Sequence, residues 1–74
     1  MLLTMATPGE DVKLVAIRGG RGIRQRLADV GLTPGTVLRV VQTDDWGPLI
    51  VAFREDARLA LGRGMAHKMI VEPL

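Results

Sequence analysis

A change of periodicity within residues 26–41, RLADVGLTPGTVLRVV, is the feature that most constrains the fold. Before it, the apolar residues Ile23, Leu27 and Val30 recur at positions i, i+4 and i+7, which is the spacing of a helix with one apolar face. After Gly35 the chain continues as a dense run of β-branched and other apolar residues, which is typical of a strand. The backbone must therefore change from helix to strand within a few residues.

Two glycines can make this change. Gly31 follows the last residue of the helical pattern, where a residue in the left-handed conformation commonly ends a helix and the next apolar residue, Leu32, folds back on its last turn. In the tripeptide ending Pro34-Gly35, proline presets φ and glycine accepts positive φ, the combination that a type II turn prefers. A second such tripeptide occupies residues 7–9. We predict a helix over residues 22–30, and both tripeptides as turns that precede strands.

The rest of the chain is mainly β in character. Short apolar or alternating segments predict about five strands over residues 12–17, 36–43, 49–54, 57–61 and 70–73. Residues 44–47, including Asp44, Asp45 and Trp46, form the predicted tip of a hairpin, and residues 63–69 form a short helical turn. Closely spaced strands with glycine and proline at the corners favour a small barrel over an open sheet, because closure protects the strand edges.

Length and cysteine content limit how this fold is stabilised. A chain of 74 residues forms one domain, 1–74, and without cysteine neither disulfides nor thiolate metal sites can hold it together. The N-terminus lacks the basic start and long apolar region of a signal peptide, and no segment approaches the roughly 20 apolar residues of a membrane span. We expect a cytoplasmic protein without membrane insertion that is stabilised by packing.

Catalytic and metal-binding patterns are weak. The sequence has a single histidine, His67, and no cysteine or tyrosine, so a nucleophile with its base is hard to assemble. No carboxylates lie at ligand spacing from His67. The GGRGIRQ segment at residues 19–25 lacks the third glycine of a dinucleotide fingerprint and the G-K-[ST] of a P-loop, so anion binding there is the less favoured alternative to a plain turn. We predict no enzyme activity, no cofactor and no metal ligand.

Charge is distributed unevenly along the chain. Residues 13–39 contain one acidic residue, Asp29, and six basic residues: Lys13, Arg18, Arg21, Arg24, Arg26 and Arg39. Four acidic residues then surround a single arginine, Arg54: Asp44, Asp45, Glu55 and Asp56. This asymmetry suits a charged partner or self-association, although ordinary solvated charge on a small surface is the favoured explanation.

Three residues are candidates for partner binding: Arg21, Arg24 and Trp46. Arginine and tryptophan dominate the energetics of protein interfaces. The alternatives are that the arginine stems cover the edges of the core and that Trp46 folds against the barrel. The interleaved aromatic residues of single-strand binders are missing, so we do not expect nucleic-acid binding.

The order of motifs resembles the FeoA family, small cytosolic accessory proteins of bacterial ferrous iron uptake. Three segments carry the resemblance, GRGIRQRLADVGLTPGTVLRVV, GPLIVAF and ALGRGMAHKMIV, and they match the family at Arg26, Leu27, Gly31, Leu32, Gly35, Gly47, Pro48, Leu49, Ala66, Met69 and Val71. The resemblance implies an SH3-like β-barrel with added helical segments, no enzyme activity, and a role beside the FeoB permease on its cytoplasmic side. The motif residues are expected to be mainly structural: Leu27, Gly31, Pro34, Gly35, Gly47 and Pro48.

Other functions remain open at this stage. A direct ferrous-iron chaperone or a metal-responsive regulatory module is the first alternative, and a small nucleic-acid-binding barrel is a more distant one. Metal titration distinguishes the first from a protein-contact role, and salt-dependent oligonucleotide binding distinguishes the second.

Overall fold

The computed structural model describes residues 1–43, 46–55 and 57–74. A short 3₁₀ helix (Leu3–Met5) precedes the elements β1 (Asp11–Ile17), α1 (Arg21–Asp29), β2 (Val37–Gln42), β3 (Leu49–Phe53), β4 (Ala57–Leu61), α2 (Arg63–Ala66) and β5 (Met69–Pro73). The strands form one antiparallel sheet in the order β4-β3-β2-β1-β5. The predicted mainly β fold of five strands, one clear helix and a second short helical segment is confirmed.

The end of α1 follows the predicted pattern. The amide of Gly31 donates to the carbonyl of Ala28 at 2.9 Å, and the amide of Leu32 donates to the carbonyl of Leu27 at 2.8 Å. These two hydrogen bonds are the pair that a left-handed glycine makes at a helix C-terminus, and the φ of Gly31 is +100°. The helix begins and ends one residue earlier than predicted, and Gly31 turns the chain away from it.

Both predicted tight turns are present. The amide of Thr36 donates to the carbonyl of Thr33, and the amide of Glu10 donates to the carbonyl of Thr7, each at 3.0 Å. The third residue of each turn is a glycine with positive φ, +99° at Gly35 and +89° at Gly9. A glycine with positive φ at this position is typical of a type II turn. The turn at residues 33–36 connects α1 to β2.

The core lies on one face of the sheet. In the first four residues of both β1 and β2, exposed and buried residues alternate, so that Val12, Leu14, Leu38 and Val40 point inward. Leu27 is the buried residue of α1. Leu3 of the 3₁₀ helix is also fully buried, which we did not predict, because three residues carry too little periodicity to reveal such an element.

The edges of the sheet differ from the predicted closure. β4 and β5 are not hydrogen-bonded to each other; residues 62–68 instead return the chain from the end of β4 to the start of β5. The outer edge of β5 pairs with the N-terminus, where Leu2 bridges Ile70 and the amide of Val71 donates to the carbonyl of Met1 at 2.7 Å. Among the described residues, neither helix is long and apolar enough to cross a membrane.

Candidate partner-binding surface

Strand register defines two ends of the sheet. The pairs Ile17↔Met69, Lys13↔Val37 and Phe53↔Ala57 place the end of β1, the starts of β2 and β5, and the β3–β4 turn at one end. We call this the helix end, because α1 follows β1 there. The opposite end, which we call the hairpin end, carries the β2–β3 turn and the start of α2.

Both termini of α1 are anchored at the helix end. Just before α1, the amide of Arg18 donates to the carbonyl of Lys68 at 2.6 Å. Just after α1, the guanidinium of Arg54 in the β3–β4 turn lies directly over the Cα of Gly31, so that a Cβ added there would overlap it. The helix therefore lies across this end of the sheet, and Leu27 inserts into the core from it.

A groove of about 360 Å³ runs beside α1. Its lining residues come from the end of β1, the exposed side of the helix and the loop after it: Ile17, Arg21, Arg24, Gln25, Ala28, Leu32, Thr33 and Pro34. The side chains of Ile17 and Leu32 belong to the core and form an apolar floor, whereas Arg21 and Arg24 are exposed. The structure thus brings two of the three candidate partner-binding residues together in one feature, which we call the α1 groove.

The charge around the α1 groove is positive. Arg18 and Lys68, also exposed, lie close to the start of the helix. The nearest acid on α1 is Asp29, which accepts a hydrogen bond from Gln25 Nε2 at 2.8 Å. Within the described part of the chain, no carboxylate forms an ion pair with Arg21 or Arg24. An acidic segment of a partner would therefore meet two available guanidinium groups above an apolar floor.

Trp46 lies elsewhere. It follows β2 at the hairpin end, and its side chain is 95% exposed, so it does not fold against the core. Neighbouring Gly47 is half-buried and Pro48 is exposed. Trp46 therefore does not share one surface with the α1 groove. The other two residues of the predicted hairpin tip, Asp44 and Asp45, lie outside the described residues, as does Asp56.

Residues 1–43, 46–55 and 57–74 contain no group of three or more histidine, cysteine or acidic side chains placed to hold a metal ion. The exposed ring of His67 has Nδ1 3.5 Å from Oγ1 of Thr4, and no carboxylate of a described residue is hydrogen-bonded to it. This environment offers neither a metal-ligand set nor the base and orienting group of a catalytic site.

Two contacts of arginine side chains were missed by sequence reasoning. Arg54 packs over Gly31, although the two residues are far apart in sequence and share no motif. Arg39 donates to both carboxylate oxygens of Asp11, at 2.7 and 3.2 Å, across β1 and β2. These hydrogen bonds lower the pKa of Asp11 and raise that of Arg39. Opposite charges on neighbouring strands could have suggested the second pair, but only once the strand register was known.

Comparison with known proteins identifies the family. The family model described as FeoA domain matches residues 1–73. The chain belongs to the FeoA family. A protein of Methanocaldococcus jannaschii named as Fe(2+) transport protein A is 37% identical over 70 residues, which are 95% of this chain and 83% of the relative.

Solved structures agree with this family and fold. The crystal structure of an iron uptake regulatory protein, FeoA, is 35% identical, with a TM-score of 0.91 over all of this chain and 97% of the other. The FeoA of Stenotrophomonas maltophilia, described as an SH3 domain protein and complexed with zinc, has a TM-score of 0.80 at 22% identity, over 97% and 89% of the two chains. At that identity the likeness shows the fold alone, and it confirms the SH3-like architecture.

Proposed function

We propose that this chain is a non-enzymatic accessory module of ferrous iron uptake, which acts in the cytoplasm by contacting the cytosolic part of a FeoB-type permease. We also propose that it is one domain over residues 1–74, that it needs no cofactor, and that it binds no nucleic acid. Membership of the FeoA family, whose relatives are named for ferrous iron transport, supports the transport context. The α1 groove is the observation that supports the protein-contact role.

The α1 groove has the composition of a protein-binding surface. The exposed side chains of Ala28 and Pro34, above the buried Ile17 and Leu32, supply apolar surface that loses contact with water when a partner covers it, which favours association. Arg21 and Arg24 supply exposed cations at its edge, and such charges mainly raise the association rate and select an acidic partner. Both guanidinium groups can also bind a carboxylate in a two-pronged geometry. The expected partner segment is therefore apolar on one side and acidic on its flanks.

Trp46 provides a second contact in this proposal. A tryptophan that is 95% exposed buries a large apolar area when a partner covers it. Since the hairpin end and the α1 groove lie at opposite ends of the sheet, one partner touching both must reach across a molecule measuring 28 × 26 × 21 Å. Either contact can therefore be removed without removing the other.

Ferrous iron uptake in a host that depends on this system tests the proposal. We expect Arg21→Glu with Arg24→Glu to reduce both uptake and co-purification with the permease, and Trp46→Ala to reduce them separately. All three side chains are exposed, so the variants should remain folded. Lys13→Glu, which reverses an exposed charge on β1 outside the groove, is the matched control. Normal uptake and normal co-purification in all the variants would show that the contact lies elsewhere.

A further inference from the structure

The outer edge of β4 is open. β4 pairs with β3 at all five positions, from Leu49↔Leu61 to Phe53↔Ala57, without a bulge. Within the described ranges no backbone hydrogen bond extends from β4 to any element other than β3. β4 also contains no proline and no lysine, two residue types that commonly protect an exposed strand edge, and its one charged residue is Arg58. It is thus available for pairing with another extended segment.

The opposite edge of the same sheet shows how such an edge is covered. The N-terminal amino group of Met1 donates to the carbonyl of Val71 at 2.9 Å, and the amide of Val71 donates back to the carbonyl of Met1 at 2.7 Å. A short extended segment of this chain is therefore sufficient to pair with β5. β4 receives no such cover from the described residues.

A row of side chains crosses the sheet and ends at the β4 edge. The pairs Asp11↔Arg39, Arg39↔Ala52 and Ala52↔Arg58 place these four residues in line on one face. At the β1 side of the row, the carboxylate of Asp11 binds the guanidinium of Arg39 on the neighbouring strand. Arg58 stands at the other side of the row, exposed, and forms no ion pair with a described residue.

A second groove, of about 350 Å³, lies along this row. Arg39, Ala52 and Arg58 all line it, together with two residues of the β3–β4 turn, Arg54 and Glu55. The carboxylate of Asp11 also lines it and is already bound to Arg39, so the three guanidinium groups outnumber the two carboxylates. The small side chain of Ala52 leaves the space between the two larger arginines open. A carboxylate that entered from the β4 edge would meet Arg58 first, in the same cross-strand relation that Asp11 has to Arg39.

We infer that the β4 edge is a binding site for an extended peptide segment that carries a carboxylate opposite Arg58. The backbone of the segment pairs with β4 and continues the sheet, which is a common way for a protein to bind an extended peptide. The carboxylate sets the register, because side chains directly opposite each other on neighbouring strands lie about 5 Å apart and opposite charges there are favourable. This inference stands independently of the α1 groove.

Amide hydrogen exchange of the isotopically labelled protein tests the inference. The probe is the blocked heptapeptide VTVEVTV, whose central glutamate lies on the opposite face from its valines, and the control is VTVKVTV. With the glutamate peptide we expect exchange to slow at least about tenfold at alternate β4 amides, since only the outward-facing amides gain a new hydrogen bond. The lysine peptide is expected to have a much weaker effect.

Charge reversal at Arg58 tests whether this residue binds the glutamate carboxylate of the peptide. We expect Arg58→Glu to reverse the preference, so that the lysine peptide protects β4, and Arg58→Met to remove it. Arg21→Glu at the other surface should leave it unchanged. Three results would overturn the inference: neither peptide protects β4, the preference survives in Arg58→Glu, or β4 is protected without peptide in a concentration-dependent dimer, which would make a second copy of this chain the occupant.

Discussion

Gly31 and Gly35 form a matched pair for testing why the chain turns as it does. Their φ angles are +100° and +99°, so an alanine at either position must adopt a backbone conformation that L-residues disfavour. They differ in the space around them. A Cβ at Gly35 would meet nothing within 4 Å, whereas a Cβ at Gly31 would overlap the guanidinium of Arg54.

The two contributions can be estimated separately. Positive φ costs an L-residue roughly 1–2 kcal/mol, so Gly35→Ala should lower the free energy of unfolding by that amount. Gly31→Ala adds the displacement of Arg54, and because the overlapping atoms are at the end of a flexible, exposed side chain this adds only about 0.5 kcal/mol. A domain of 74 residues has a total stability of roughly 4–11 kcal/mol, so both losses are measurable.

Urea unfolding followed by circular dichroism measures these values, with Arg54→Ala and the double variant Gly31→Ala/Arg54→Ala completing a cycle. In the Arg54→Ala background the overlap is absent, so Gly31→Ala should cost only the backbone term. We therefore expect the double variant to be less stable than Arg54→Ala by about the same free energy that Gly35→Ala loses relative to the wild type. If Gly31→Ala unfolds at the wild-type midpoint, the left-handed helix end is wrong. If the cycle shows no coupling, Arg54 does not pack on Gly31.

Three further predictions concern the core, the ion pair and iron. Leu27→Ala should lower the free energy of unfolding by about 2–5 kcal/mol, because Leu27 is 2% exposed; a loss below about 1 kcal/mol would contradict its burial. The hydrogen bonds from Arg39 lower the pKa of Asp11 below its ordinary value of 3.8. They therefore stabilise the fold fully at pH values above 3.8, and this stabilisation is lost as the pH falls through the lowered pKa of the folded state. Titration by NMR should show the pKa of Asp11 returning to its ordinary value in Arg39→Met. Under anaerobic conditions we expect calorimetry to find no stoichiometric micromolar ferrous iron site; such a site, abolished by His67→Ala, would favour the chaperone alternative.

The elements that depend on local sequence were predictable. The end of α1 at Gly31 and the turn at Gly35 follow from residue types with narrow conformational preferences, so a single sequence was enough to place them. The alternation of apolar residues located β1, and the dense run of β-branched and apolar residues after Gly35 located β2. The 3₁₀ helix that buries Leu3 was missed, because so short a segment depends on the surface it packs against.

The candidate surfaces were predictable only in part. Arg21 and Arg24 were identified by residue type and helical position, but the groove they line also needs Leu32 from the loop beyond the helix, which only the tertiary fold brings there. Trp46 was grouped with the arginines on residue type alone, and strand register separates it from them. The open edge at Arg58 depends on strand order, which the spacing of the strands in sequence does not determine.

The most direct test of the proposed protein contact is the affinity of the purified chain for the purified cytosolic part of a FeoB-type permease. Calorimetry should detect binding to the wild type and to Lys13→Glu. Arg21→Glu with Arg24→Glu should weaken binding at least about tenfold at roughly 50 mM salt and by less at about 500 mM, because salt screens exposed charges. Two results would contradict the proposed contact through the α1 groove: no binding by the wild type, or a double variant that binds as tightly as the wild type at both salt concentrations.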